Sequence, residues 1–89
     1  MNEKEFERMF KALANRRRIA ILFFLKKEGE ATVGEISRAI RLSFAATSRH
    51  LGVLSGVDFL EKDQRSLSVF YRIAEKSKER ILFSIQKIF

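Results

Sequence analysis

The chain has 89 residues, 18 of them Lys or Arg and 11 Asp or Glu, so its formal net charge is +7 with the one His neutral. With 46% hydrophobic and 33% charged residues the composition fits a packed globular chain and excludes global disorder, while the absence of Cys removes disulfides, thiolate nucleophiles and zinc sites built on sulfur. The longest apolar run, Ile19 to Leu25, is seven residues, too short to span a bilayer, and the N-terminal stretch has no apolar core, so neither a membrane anchor nor a secretory signal is expected and a cytoplasmic location is.

No repeat, Pro residue or Gly/Ser linker marks a boundary, which reads as one domain over residues 1–89. Phe6, Met9, Phe10 and Leu13 fall on one stripe of an amphipathic first helix. Asn15 is placed to cap a second helix, apolar on nearly all sides from Ile19 to Leu25 and therefore expected in the middle of the fold, with Gly29 as its stop. Thr32 and Glu35 have capping-box spacing and open a short third helix with Ile36 and Ile40 inward. After a tight turn at Arg41 and Leu42, Ser43 caps a fourth helix on which Phe44, Thr47, Leu51 and Leu54 share the inward face.

Two β-prone stretches, Phe59 to Lys62 and Leu67 to Ile73, flank a polar turn at residues 63–66 and predict a hairpin. Ile81, Leu82, Ile85, Ile88 and Phe89 then recur at helical spacing on a fifth helix from about Glu75. The fold class is mainly α with a small β-hairpin, in the order of a winged helix-turn-helix.

Enzymatic chemistry finds no support in the residues. His50 is the one His, no Cys can partner it, and Ser48, two residues away on a helix, points elsewhere. One imidazole and scattered carboxylates make no transition-metal site, and the four Gly never reach the spacing of a phosphate-binding loop, so neither a metal nor a cofactor is expected. A helix-turn-helix followed by a wing is a DNA-reading arrangement, because a helix fits the major groove while a basic hairpin lies along the backbone or in the minor groove. Most of the excess charge, +4, falls within residues 12–42 rather than on the fourth helix.

The stretches Phe10 to Asn15, Arg18 to Leu22, Gly34 to Ile36, Ser48-Arg-His-Leu51 with Leu54, and Val69-Phe-Tyr-Arg-Ile73 resemble the arsenic-repressor (ArsR/SmtB) winged-helix regulators over residues 6–73. The resemblance implies a homodimeric regulator of transcription, expected to be a repressor, paired through its first and last helices, with two reading helices entering successive major grooves of double-stranded DNA. It also implies a packing role for Arg18. Three departures stand out: positions 44 and 45, where the family commonly reads bases with polar residues, are Phe44 and Ala45 here; Asp58 and Ser66 stand at family glycines; and the cysteine-bearing and carboxylate-histidine metal motifs are missing.

The candidate DNA-binding residues are Ser43, Phe44, Ala45, Ser48, Arg49, His50 and Arg65. Arg49 lies opposite Leu51 and Leu54 on the helical wheel and is the leading contact. His50 sits at the edge of the inward face, where a structural role and a DNA contact both stay open, and Arg65 falls in the wing turn, suited to a phosphate. Phe83 lies off the apolar stripe of the fifth helix, which favours a partner helix over it. The alternatives are a nonspecific architectural DNA binder and a winged-helix module that meets another protein; no effector is readable.

Overall fold

The computed structural model describes residues 2–89, with five helices and a three-stranded antiparallel sheet. Helix α1 spans Glu3–Leu13, α2 Arg16–Glu28, α3 Val33–Ile40, α4 Phe44–Gly56 and α5 Lys76–Ile88; strand β1 is Ala31–Thr32, β2 Leu60–Arg65 and β3 Ser68–Ile73.

Local chemistry sets the helix boundaries. Asn15 Oδ1 accepts from the N–H groups of Arg17 and Arg18 (3.0 and 3.1 Å), satisfying two donors that the first turn of α2 leaves open. Gly29 ends that helix at φ 88°, a conformation costly for any residue with a Cβ. The capping box at α3 forms in full: Glu35 N–H donates to Thr32 Oγ1 (3.2 Å) and Thr32 N–H to Glu35 Oε1 (2.9 Å). The Thr32 N–H, and after it the Thr32 hydroxyl (3.1 Å from Oε1), donate to the ionised carboxylate and hold Glu35 below its ordinary pKa of 4.5. Ser43 Oγ accepts from Ala46 N–H (3.1 Å) and starts α4.

The core collects Met9 from α1, Ile21 and Leu25 from α2, Ile36 from α3, Leu51 and Leu54 from α4, and Phe59 and Leu60 at the start of the hairpin. Each such side chain contributes about 1.5–3 kcal/mol by leaving water. Phe6, Phe10 and Leu13 pack half-buried against this cluster, as their stripe predicts. Helix α4 ends with Asp58 at φ 62°, which lets Phe59 N–H return to the Leu54 carbonyl (3.0 Å) and drives the Phe59 ring inward. Asp58 thus takes the left-handed conformation without being a glycine.

Four expectations change. Strand β1 has no counterpart in the sequence reading; it forms because Ala31 and Thr32 pair with Tyr71 and Phe70 at the edge of β3. The wing turn is two residues, Ser66 and Leu67, with Ser66 at φ 56°, and the strands extend through Asp63–Phe70, Gln64–Val69 and Arg65–Ser68 pairs. Helix α2 is not enclosed: Ile21 and Leu25 form its buried seam, whereas Phe23, on an uncovered side, is 72% exposed. Phe44 leaves the inward face of α4 that Thr47, Leu51 and Leu54 keep, because a first-turn side chain projects back past the helix end, beyond the elements that cover the core.

Helix α5 meets the core through a narrow seam. Ser77 and Ser84 are its buried residues and Ile81 is its apolar contact with the core cluster. Ser84 Oγ lies 4.0 Å from Met9 Sδ, and Arg80 Nη1 donates to the Val57 carbonyl (2.8 Å). The apolar ridge Leu82, Ile85 and Phe89 stays exposed. Met9, by contrast, is consumed by the chain's own core and offers nothing to a partner. Phe83 is exposed with Lys87 Nζ 5.7 Å from its ring centroid, so a cation from its own helix partly covers it.

Candidate nucleic-acid interface

The outward face of α4 carries Ser43, Phe44, Ala45, Ser48, Arg49 and Gly52, all exposed, and the helix has no acidic residue. Six of the seven candidate positions, Ser43 to His50, therefore belong to one helix and its cap, while Arg65 stands apart on the wing. Arg49 makes no hydrogen bond or salt bridge among the described residues, so its five N–H donors remain available to a base edge or a phosphate.

His50 belongs to the frame that holds this helix. Arg18 donates from Nε to the Ala12 carbonyl (2.6 Å) and from Nη2 to the Lys11 carbonyl (3.3 Å), and its Nη1 lies 3.2 Å from His50 Nδ1. One guanidinium thereby closes the C-terminal carbonyls of α1 and fixes the middle of α4, the packing role expected of Arg18. Arginine only donates, so Nδ1 is the acceptor and His50 carries its proton on Nε2. Partial burial, and then the charges of Arg18, Arg49 and Arg17, push the His50 pKa below its ordinary 6.5.

A depressed histidine pKa means that the unfolded chain takes up the proton first. The stability linked to His50 is complete above pH 6.5 and is lost as pH falls from there toward the folded-state pKa. Urea unfolding between about pH 7.5 and pH 5 is expected to show a larger loss for the wild type than for His50→Gln. Equal losses would show that His50 takes up its proton alike in the folded and the unfolded chain and contributes nothing to this pH dependence. The Glu35 contribution falls in a separate window, retained above 4.5 and lost below it.

The wing presents less free charge than its sequence indicates. Arg65 ends β2 instead of sitting in the turn; it donates from Nη1 and Nη2 to Glu30 (3.1 and 2.6 Å) and from Nε to Asp63 (3.0 Å), with Cζ 4.5 Å over the Phe70 ring. Arg72 is paired with Glu61 (3.1 Å). Arg65→Ala is accordingly expected to lower the salt dependence of DNA binding less than removal of an unpaired arginine, and to cost little stability, because exposed ion pairs are screened by water and salt. Salt-series titration and urea unfolding of the variant check both.

Cations outside any salt bridge among the described residues gather instead at the helix-turn-helix. Arg17 Nη1 donates to the Ile40 carbonyl at the end of α3 (3.4 Å), and Arg16 and Arg17 line one cleft with Ala39 and Ile40, which brings the start of α2 beside the α3–α4 turn. Arg38, in the last turn of α3, and Arg41, the left-handed residue at φ 55° between α3 and α4, are exposed and free of hydrogen bonds and salt bridges through their side chains among the described residues. Neither was singled out from sequence. The available signal is two arginines three residues apart, Arg38 and Arg41, in the stretch that leads into α4.

The apolar members of the site have their own geometry. Phe44 is 62% exposed at the first position of α4, and Leu67 is 98% exposed at the wing turn. Together with Thr32, Val33, Gly34, Ser68 and Val69 they line a cleft of about 320 Å³ where the reading helix meets the wing. Among the described residues no helix is long and apolar enough to cross a membrane.

A sequence profile of the arsR family of bacterial regulatory proteins matches residues 15–62. The transcriptional activator HlyU of Vibrio cholerae is 29% identical, with 100% of this chain and 88% of that protein aligned. A cadmium resistance transcriptional regulatory protein CadC homolog of Staphylococcus aureus is 26% identical over 91% of this chain and 67% of its own length. Among solved structures, the homodimeric winged helix-turn-helix DNA-binding domain from Mycobacterium bovis superimposes with a TM-score of 0.78 at 30% identity, covering 96% of this chain and 78% of that one.

Proposed function

The chain belongs to the arsR family of bacterial regulatory proteins, and from that premise we propose that it is a cytoplasmic, homodimeric repressor in which one winged-helix unit spans residues 1–89 and α4 selects a particular double-stranded DNA sequence. The observation that carries this reading is the outward face of α4: exposed, free of acids, with unpaired Arg49 on it and unpaired Arg38 and Arg41 at its entrance. Cations at the entrance supply charge neutralisation on either side of the groove, and Arg49 reaches the base edges.

Dimerisation is supported by the exposed ridge on α5 and by the dimeric state of the Mycobacterium bovis domain. Two copies present two reading helices, which suits half-sites about 34–36 Å apart. Repression is the output we assign because occlusion of a promoter needs only the DNA-binding surface. The Vibrio cholerae relative is named an activator, so the test is functional as well as structural. Footprinting on DNA upstream of the chain's own gene, joined to a reporter there, is expected to give a symmetric protected site and reporter output that rises when the gene is removed. A fall on removal overturns repression, and no protected site overturns the operator reading.

We propose no transition-metal effector. Cys is absent, and the one imidazole accepts from Arg18, an interaction that metal binding at Nδ1 would break. Calorimetry with zinc, nickel and copper is expected to show no tight stoichiometric site; one that alters DNA affinity contradicts this. The second reading, an architectural binder, is favoured by Leu67, since an exposed apolar residue on a wing turn resembles the wedges that unstack base steps in the minor groove.

A further inference from the structure

We propose that the reading helix selects its site through thymine methyl groups, with Phe44 as the principal specificity-determining residue and Ala45 beside it. The inference rests on the DNA-binding reading above and names what that surface recognises. Over the first two turns of α4 the outward side chains are Phe44, Ala45, Ser48 and Arg49, and Ser43 Oγ is already an acceptor for the Ala46 N–H. A helix docked by this face brings more apolar than polar surface against the bases. The major groove offers one apolar feature, the C5 methyl of thymine; every other base edge there presents donors or acceptors that an apolar side chain leaves unpaired.

The setting assigns the occupant. An aromatic ring left 62% in water is unfavourable for the free protein and becomes favourable only against another apolar group. The residues around it carry positive or no charge: Arg41 lies just before the cap, Arg49 lies on the same helix, and the cleft that Phe44 shares with the wing is lined by Thr32, Val33, Gly34, Leu67, Ser68 and Val69. An apolar patch framed by unpaired arginines fits a polyanion that displays methyl groups, which is duplex DNA containing thymine. The ring's exposure also separates its role from folding, because the chain's core does not use it.

Replacing thymine by uracil removes the methyl and keeps the hydrogen-bond pattern, so it tests this contact alone. The preferred duplex is first selected from a random library with the full chain, and its thymines are then exchanged for uracil one at a time. At one or two positions per half-site the wild type is expected to lose roughly fourfold in affinity per methyl, the value of one buried methyl-sized group. Phe44→Ala should weaken binding to the thymine duplex and become indifferent to uracil, while Phe44→Leu keeps part of the discrimination. If uracil has no effect at any position while the selected duplex is still preferred over random sequence, the DNA reading stands and thymine recognition is overturned. If Phe44→Ala binds every duplex as the wild type does, the patch serves another occupant, such as a protein, and the proposal is also overturned. Failure of the library to yield a preferred duplex overturns both readings together.

Discussion

Ile85→Glu is expected to convert the dimer to a monomer at micromolar concentration while leaving the monomer folded. Leu82, Ile85 and Phe89 form an exposed ridge on α5, whereas the helix holds its own core through Ser77, Ile81 and Ser84. In a two-fold interface each substitution counts twice. Loss of a buried isoleucine costs about 1.5–3 kcal/mol per copy, so the dimer weakens by about 3–6 kcal/mol, on the order of two to four decades in dissociation constant. Because Ile85 is already partly covered within its own chain, the lower half of that range is expected. Light scattering over a concentration series reads the mass, and thermal unfolding monitored by circular dichroism confirms the fold. An undisturbed dimer would place the interface elsewhere.

Arg49→Ala is expected to lose both affinity for the preferred duplex and preference over random sequence. A base contact is worth about 1–3 kcal/mol, and a dimer makes it in both half-sites, so the operator loses about 2–6 kcal/mol while random duplex loses much less. Arg41→Ala is the informative comparison. Its guanidinium stands at the entrance of α4, where a phosphate contact is expected, and its removal should weaken all duplexes alike and reduce the salt slope by about one per protomer. If Arg49→Ala instead behaves as Arg41→Ala does, α4 positions the protein on the backbone without reading sequence through that side chain, and the architectural reading gains.

Much of the helical framework is legible in the sequence because its signals are local. Asn15, the Thr32–Glu35 box and Ser43 each cap within three residues of themselves, and Gly29 marks its stop by the backbone conformation it alone takes cheaply. What escapes the sequence is decided at a distance. Strand β1 has two residues and no alternation of its own; pairing with Tyr71 and Phe70 defines it. The wing turn moves toward Leu67 because the polar stretch Asp63 to Arg65 stays extended, held by Phe70 beneath Arg65 and by Glu30 across from it.

The same distinction governs the site. Arg49 can be read from the helical wheel, since its outward direction follows from Leu51 and Leu54 pointing in. The difference between Arg65 and Arg41 cannot, because it depends on a glutamate 35 residues away in sequence. Periodicity likewise finds the apolar character of α5 without saying which side its own core takes, and the answer is a seam of two serines and Ile81. Phe44 falls at the helical spacing of a core residue, and only its place in the first turn puts it outside.

The most direct test of the account is equilibrium binding of the wild type to its selected duplex and to random duplex across a salt series, with the number of chains per duplex measured in the same samples. Two chains per duplex and a preference on the order of a thousandfold or more, persisting while both affinities fall with salt, are the predicted result. Equal affinity for the two duplexes at every salt concentration, or one chain per site, would contradict it.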